Sequence, residues 1–466
     1  MSSQNISLHW EVPVLAESDV CVVGGGSAGV AATVAASRAG AHTILVEAYG
    51  YLGGTSTAGL VGPLMTSYSS DGSQPVIGGI FQEVVDLMVE LDGAIDPSQV
   101  EGGTAFGAFI QVGHARLTPC SPEALKLATM QVVEKAGCRV MFHTSFLQAQ
   151  VDKNQVTGIV VHNKAGLGII KAKVFVDTSG DADVASSAGV PFTVGRIGDG
   201  LMMPATMFMR LGNVDDAEVQ AWADAHPKEA LFESIVQQAR KEERWVGISR
   251  EYLNLYREPE PGVYRANITR LLGIDGTNPD DLSRAEMEGR RQCLQVFRFM
   301  REYCPGLKNA KLLETASRIG IRETRHIHGL YTLTGEDVVA GSQFPDAIAR
   351  CAYPIDIHDP LGKRHSDIPL GYQPEQPHIV NPDAPLYYEI PYRCLVPENL
   401  ENLLVAGRPI SATHEGAASA RVIPPCYATG QAAGLAAALS VKTDCRVSNV
   451  DTAKLQERLR EQGAIV

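Results

Sequence analysis

A glycine-rich turn set between an apolar run and a small-residue helix constrains this chain more than any other feature. Gly24-Gly-Gly26-Ser-Ala-Gly29 follows Val20–Val23 and opens the Ala-rich stretch Ser27–Arg38, which stops before Gly40. A second apolar run, Thr43–Val46, comes next and is followed by Glu47. Short β-branched runs suit buried parallel strands, and Gly40 offers the left-handed cap that ends the intervening helix. The start of the chain is therefore a strand–helix–strand unit. In such a unit Gly24 permits the tight turn, Gly26 lets a pyrophosphate approach the backbone, and Gly29 lets the helix pack on the sheet. The phosphate charge sits at the helix N-terminus, with Ser27 in its first turn. Glu47 stands where a carboxylate accepts hydrogen bonds from a ribose diol.

At 466 residues the chain is too long for one ordinary core, so two lobes are expected. Hydrophobic residues make up 45% and charged residues 20%, the balance of an ordered soluble protein. The formal net charge of −13 argues against nucleic acid and anionic membrane surfaces as partners. A local Arg and His cluster can still oppose that sign and take an anionic ligand. The 9 cysteines are scattered with no Cys-x-x-Cys pair, which leaves iron–sulfur ligation, a dithiol motif and a metal site without support. Their odd number fits free thiols in a reducing compartment. The N-terminus has no basic segment leading into an apolar one, and Val20–Ala36 and Ala432–Ser440 fall short of the roughly 20 strongly apolar residues of a membrane span. A cytoplasmic protein is expected; assembly into a homo-oligomer is left open.

A second α/β portion spans Ser121–Gly189. Ser121-Pro-Glu123 starts a helix that runs through Lys135, and strands are expected at Arg139–Gln150, Val156–Asn163 and Gly168–Asp177. From Pro191 to Arg393 the texture changes: a helical pattern at Asp281–Tyr303 is followed by prolines clustered within 345–391. The α/β texture returns at Asn402–Gly407, and a final helix is expected to begin at Gly430 and run to Ser440. The expected organisation is a discontinuous α/β domain, 14–70, 114–190 and 394–466, with a Rossmann-like parallel sheet and a β-meander excursion. Residues 71–113 and 191–393 form an inserted α+β substrate or cap domain.

Two further segments carry the dinucleotide argument. Phe175-Val-Asp-Thr-Ser-Gly-Asp-Ala-Asp183 is an apolar strand running into a small-residue turn, and Asn402–Gly416 is an apolar strand ending at Ala406-Gly407 before a polar turn. With Gly24–Glu47 they resemble the FAD-dependent oxidoreductases of the glutathione-reductase-like flavoprotein superfamily, related to fumarate reductase and succinate dehydrogenase flavoproteins. The run Arg322-Glu-Thr-Arg-His-Ile-His-Gly-Leu-Tyr-Thr-Leu-Thr334 is also similar to that family's. The resemblance implies FAD as cofactor, with contacts from Gly54, Thr55 and Ser56 in the turn Gly53–Gly59. It implies further contacts from Gly180 and Asp181 in the second segment, and from Gly407, Arg408, Gly430 and Ala433 in the third. Arg408 departs from the pattern, since many relatives carry an acidic residue there. The turn Gly53–Gly59 holds no His, which implies noncovalent, dissociable FAD.

Only one dinucleotide fingerprint is present, so a built-in nicotinamide site is not expected, and electrons come from the substrate or pass to and from a separate acceptor or donor. On the substrate side, a strand over Ser317–His328 would place Arg318, Arg322, His326 and His328 on one face. That face either binds a carboxylate and a developing oxyanion or is simply solvated. His414, between the closing strand and the final helix, either acts as general base or bonds the ribityl chain. Arg421, His114 and Arg116 are further candidates, and Cys426 reads as a packed small residue. The expected activity is hydride transfer between a small polar, even anionic, substrate and flavin N5. The alternatives are a flavin monooxygenase fed by an external reductant and a non-catalytic nucleotide sensor.

Overall fold

The computed structural model describes residues 9–110, 114–362, 366–370, 372 and 384–466; part of the proline-rich stretch lies outside them. The opening unit is β1 (Val14–Val23), α1 (Ser27–Arg38) and β2 (Thr43–Val46), followed by α2 (Ile80–Glu90) and α3 (Pro122–Lys135). Next come β3 (Arg139–Met141), β4 (Ser145–Asp152), β5 (Gln155–Asn163) and β6 (Gly166–Asp177). Strands β3, β2, β1 and β6 run parallel in that order. The short strand Leu403–Val405 joins the C-terminal part of β6, also parallel, with Leu403 opposite Phe175 and Val405 opposite Asp177. The N-terminal part of β6 pairs antiparallel with β5, which pairs with β4. This is a mixed α/β fold with a parallel-rich, Rossmann-like sheet and a meander, as the sequence implies.

Where the sequence suggests one strand over Arg139–Gln150, the structure has two. Phe142–Thr144 break it, and β3 and β4 stand at opposite ends of the sheet order. Four Cα steps reach at most about 14 Å, so the sheet must curl until these two edges approach. The final helix also differs from expectation. It spans Ile423–Thr443, with Pro424 and Pro425 in its first turn, where their missing N–H groups cost nothing. Gly430 is therefore inside it rather than at its start. Its reason is packing: a Cβ on Gly430 would lie 2.1 Å from the Ala28 carbonyl oxygen, and one on Gly434 would lie 2.0 Å from that of Ala32. The two Ala-rich helices thus touch backbone to backbone, and most of both is buried.

The other lobe has its own apolar core, centred on an antiparallel sheet of Lys311–Thr315, Met209–Gly212, Tyr264–Ala266 and Leu255–Arg257, in that order, and the helix Pro279–Tyr303. Arg265 ties this cap sheet to the nucleotide lobe. Only 1% exposed, it pairs with Glu258 at 2.7 Å and donates to the carbonyls of Val61 (3.2 Å) and Cys120. The expected strand over Ser317–His328 shrinks to Arg325–Ile327, paired with Phe192–Val194. The residues before it bond outward instead, Arg318 N to Ala58 O (3.1 Å) and Gly320 N to Thr206 O (2.9 Å), so the inferred common face does not form. Among the described residues no helix is long and apolar enough to cross a membrane.

Candidate functional site

The C-terminal ends of β1, β2 and β6 open onto a cavity of about 1230 Å³ between the lobes. From the nucleotide lobe its wall includes Gly24, Gly26, Ser27, Glu47, Gly54, Thr55, Gly180, Asp181, Gly407 and Arg408. Ligands in open α/β folds bind outside the carboxyl ends of the strands for this reason. Helix α1 points its N-terminus at the cavity, with no side chain capping it and no acidic residue in its first turn. Its amides and dipole are thus left to an anion. Gly26 and Gly54 face each other: a Cβ on Gly54 would stand 2.8 Å from the Gly26 Cα, so the second loop closes over the first turn. Thr178 fastens the turn to β6, donating to the carbonyls of Val23 (2.9 Å) and Gly24 (2.7 Å). Glu47 accepts from Gly25 N at 2.6 Å and Tyr49 N at 2.7 Å. Burial raises its carboxyl, while those amides and the Arg318 charge oppose the rise. An uncapped helix end, a glycine cradle and a fixed carboxylate fit a dinucleotide.

Four residues assigned to the cofactor lie off the cavity wall. Gly29 packs α1 against the turn, Ser56 is buried beneath the second loop, and Gly430 and Ala433 are buried in the final helix, Gly430 against α1. Val422, Ile423 and Cys426 line the cavity instead, because the helix starts earlier than its sequence suggests. Arg408 is held by its own protein: Nε donates to Gly180 O (2.8 Å), Nη1 to Ile321 O, and Nη2 pairs with Asp181 at 2.5 Å.

The histidine candidates also lie elsewhere. His328 is exposed, and neither it nor His326 nor His414 lines the cavity. His414 Nδ1 is 2.8 Å and His326 Nε2 is 3.3 Å from one oxygen of Glu323, whose other oxygen accepts from Met203 N at 3.1 Å. All three side chains are buried. Burial alone would raise the Glu323 carboxyl, but the hydrogen bonds and charge of the two imidazoles outweigh it and hold it at about 2. Arg116 pairs with Glu101 away from the cavity, whereas His114 lines it, its ring stacked with Tyr256 at 6.4 Å.

Residues that the sequence did not single out join Arg322 and Arg421 here. Asn254 and Tyr256 alternate with buried Leu255, which turns their shared face to the cavity. Arg250, Tyr252, Arg322, Arg421, Asp356 and His358 line the same region, with Arg270 buried at their side. Arg322 donates to Thr206 Oγ1 at 2.6 Å and to Pro204 O. Burial, then the Arg421 charge, pushes its guanidinium down to about 9, still protonated at neutral pH. Burial, then Arg250 and Arg322, lowers Arg270 as well. Asp356 sits among them, 3.1 Å from Arg421 and 3.2 Å from His358. Burial together with Arg322 and Arg270 holds His358 well below its usual range, against the pull of Asp356. Among the described residues, one carboxylate beside four guanidiniums leaves a chamber that favours an anion.

A dinucleotide cradle that shares one cavity with a cationic chamber marks the class of nucleotide-cofactor proteins. The chain belongs to the FAD dependent oxidoreductase family, whose family model matches residues 19–459. It is a flavoprotein with FAD as its cofactor. No curated protein matches it. Solved structures with a similar fold include a geranylgeranyl bacteriochlorophyll reductase-like protein from Thermoplasma acidophilum, 13% identical over 96% of this chain and 84% of that one, TM-score 0.43. Another is p-nitrophenol 4-monooxygenase from Pseudomonas putida, 10% identical over 96% and 85%, TM-score 0.48. A third is L-proline dehydrogenase from P. horikoshii, 10% identical over 98% and 100%, TM-score 0.44. Likeness at this level transfers no chemistry to this chain.

Proposed function

We propose that this enzyme oxidises or reduces a small anionic substrate by hydride exchange with FAD, the substrate held by Arg250, Arg322 and Arg421. The observation that supports the reading is the cationic chamber in the same cavity as the nucleotide cradle. When bound, FAD supplies the hydride acceptor or donor at N5. The guanidiniums fix the substrate's anionic group and so fix which carbon is presented, an orientation effect worth several kcal/mol in general. Asp356 holds Arg421 in place, 3.1 Å away. Thr206 does the same for Arg322, at 2.6 Å. Turnover draws on a separate electron acceptor or donor, since the chain has one dinucleotide fingerprint.

The test is anaerobic mixing of the holoprotein with carboxylates and their neutral amides, followed through the flavin absorbance. Bleaching by a carboxylate and not by its amide is the expected result. Bleaching by neutral compounds alone, or a hydroxylated product that forms only with an external reductant and oxygen, overturns the reading.

A further inference from the structure

Among the described residues of the cavity wall, Arg318 is the arginine whose guanidinium is held neither in the chamber nor by a tight bond within the protein. Arg318 comes from the cap, and its side chain is 44% exposed. Its backbone N–H donates to Ala58 O at 3.1 Å, which fastens it to the loop that covers the glycine turn. Its guanidinium reaches toward Asp181, with Nη2 3.5 Å from the carboxylate. Its charge lowers the carboxyls of Glu47 and Asp183 and the hydroxyl of Tyr49, groups that burial raises. The groups Arg318 faces are thus those of the nucleotide cradle. The mutual influence of Arg250, Arg270, Arg322 and Arg421 marks the chamber as a separate electrostatic neighbourhood. The other arginines beside the cradle carboxylates are already engaged, Arg408 on Gly180, Asp181 and Ile321 and Arg325 on Asp181 O (2.8 Å) and Asp183 (3.0 Å).

We propose that Arg318 is a cap-borne contact for the FAD diphosphate, closing from the cap side the anion site that the α1 N-terminus forms from the nucleotide lobe. Carboxylates fill this part of the wall: Glu47, Asp181 and Asp183 all line it. A dianionic diphosphate placed among them needs a counter-charge beyond one helix dipole, which carries only about half an elementary charge. A long guanidinium whose ion pair among the described residues is a loose 3.5 Å can swing to two phosphate oxygens without breaking a tight bond. The contact also makes the cap part of the cofactor site, so the two lobes grip FAD jointly.

The experiment measures FAD affinity of the full chain by fluorescence of released flavin, at several salt concentrations, for wild type, Arg318→Gln and Arg318→Lys. The side chain is largely solvated, so both substitutions are accommodated by the fold. Arg318→Gln is expected to weaken FAD about tenfold and to flatten the dependence of affinity on salt. Arg318→Lys, which keeps the charge, is expected to stay within about threefold and to retain the salt dependence. Wild-type affinity in Arg318→Gln overturns the proposal. So does a weakened affinity with unchanged salt dependence, because that reports lost packing rather than lost charge.

Discussion

Glu323 Oε1 lies 2.8 Å from Nδ1 of His414, which seats a buried carboxylate of the cap on the first residue of the helix His414–Ala420. The same oxygen is 3.3 Å from His326 Nε2. The cluster ties the two lobes together, and none of its members is among the described residues that line the cavity.

Stability should follow the charge of this carboxylate. Its folded value is about 2 against an ordinary 4.5. A depressed carboxyl contributes stability that is present above its unfolded value and is lost as pH falls through the folded one. The contribution, on the order of 3 kcal/mol, is therefore complete above about pH 4.5 and gone near pH 2. Glu323→Gln should lower the melting temperature at neutral pH and lose much less than wild type between pH 4.5 and 2. Parallel melting curves for the two proteins across that window would refute the assignment.

The glycine cradle was legible because its causes are local. The turn, the helix and the second strand each follow from residue types within a few positions, and α1 and β2 occupy the bounds their sequences suggest. The cationic chamber was legible only in part: Arg322 and Arg421 stood out as candidates, but Arg250, Arg270 and Asp356 did not, because all five come from separate segments that only the folded chain brings together. The alternation at Ser317–His328 misled for a related reason: backbone groups there bond to Ala58 of the nucleotide lobe and to Thr206 of the cap, so no strand carries the pattern. His414 sits next to the closing turn as its sequence position suggests, but its partner Glu323 lies 91 residues away and turns it from the cavity.

Close backbone contacts separate two kinds of glycine. A Cβ on Gly29 would stand 1.7 Å from the carbonyl oxygen of Gly24, inside the cradle itself. Gly29→Ala should therefore push the turn out of shape and give a protein that does not retain FAD, read directly from its absorbance. Gly434→Ala meets Ala32 O at 2.0 Å, a full turn further along the helix contact. It should cost about 1–3 kcal/mol of stability while the folded protein still takes up FAD. Equal loss of flavin in both variants would mean that the helix contact, not the turn, shapes the cofactor site.

The chamber's arginines predict an anion effect that needs no knowledge of the substrate. Sulfate added to the holoprotein should perturb the flavin spectrum, and Arg250→Gln should weaken that effect about 10- to 100-fold, the scale of a charge-assisted hydrogen bond. Arg250 is only 5% exposed and bonds Tyr252 at 3.2 Å, so FAD content and melting should be checked alongside. Unchanged sulfate affinity with FAD retained would remove Arg250 from the ligand site.

The bond between cofactor and chain is the remaining testable feature. Covalent flavin attachment requires a nucleophilic side chain at the cavity; the turn Gly53–Gly59 offers no His, and the lining histidines are engaged elsewhere, His358 with Asp356 at 3.2 Å and His114 stacked on Tyr256. Cys426 does line the cavity, but burial pushes its thiol up to about 12, and its Sγ–H donates to Arg421 O at 3.3 Å. A thiol so far above neutral pH supplies almost no thiolate, the form that attacks. Heat denaturation should accordingly release all the flavin as intact FAD into the supernatant. Cys426→Ser, which preserves the size of the side chain, should keep the same FAD content. Flavin that stays with the precipitated wild-type chain, and leaves it in Cys426→Ser, would show that burial does not protect this thiol and that the attachment is covalent.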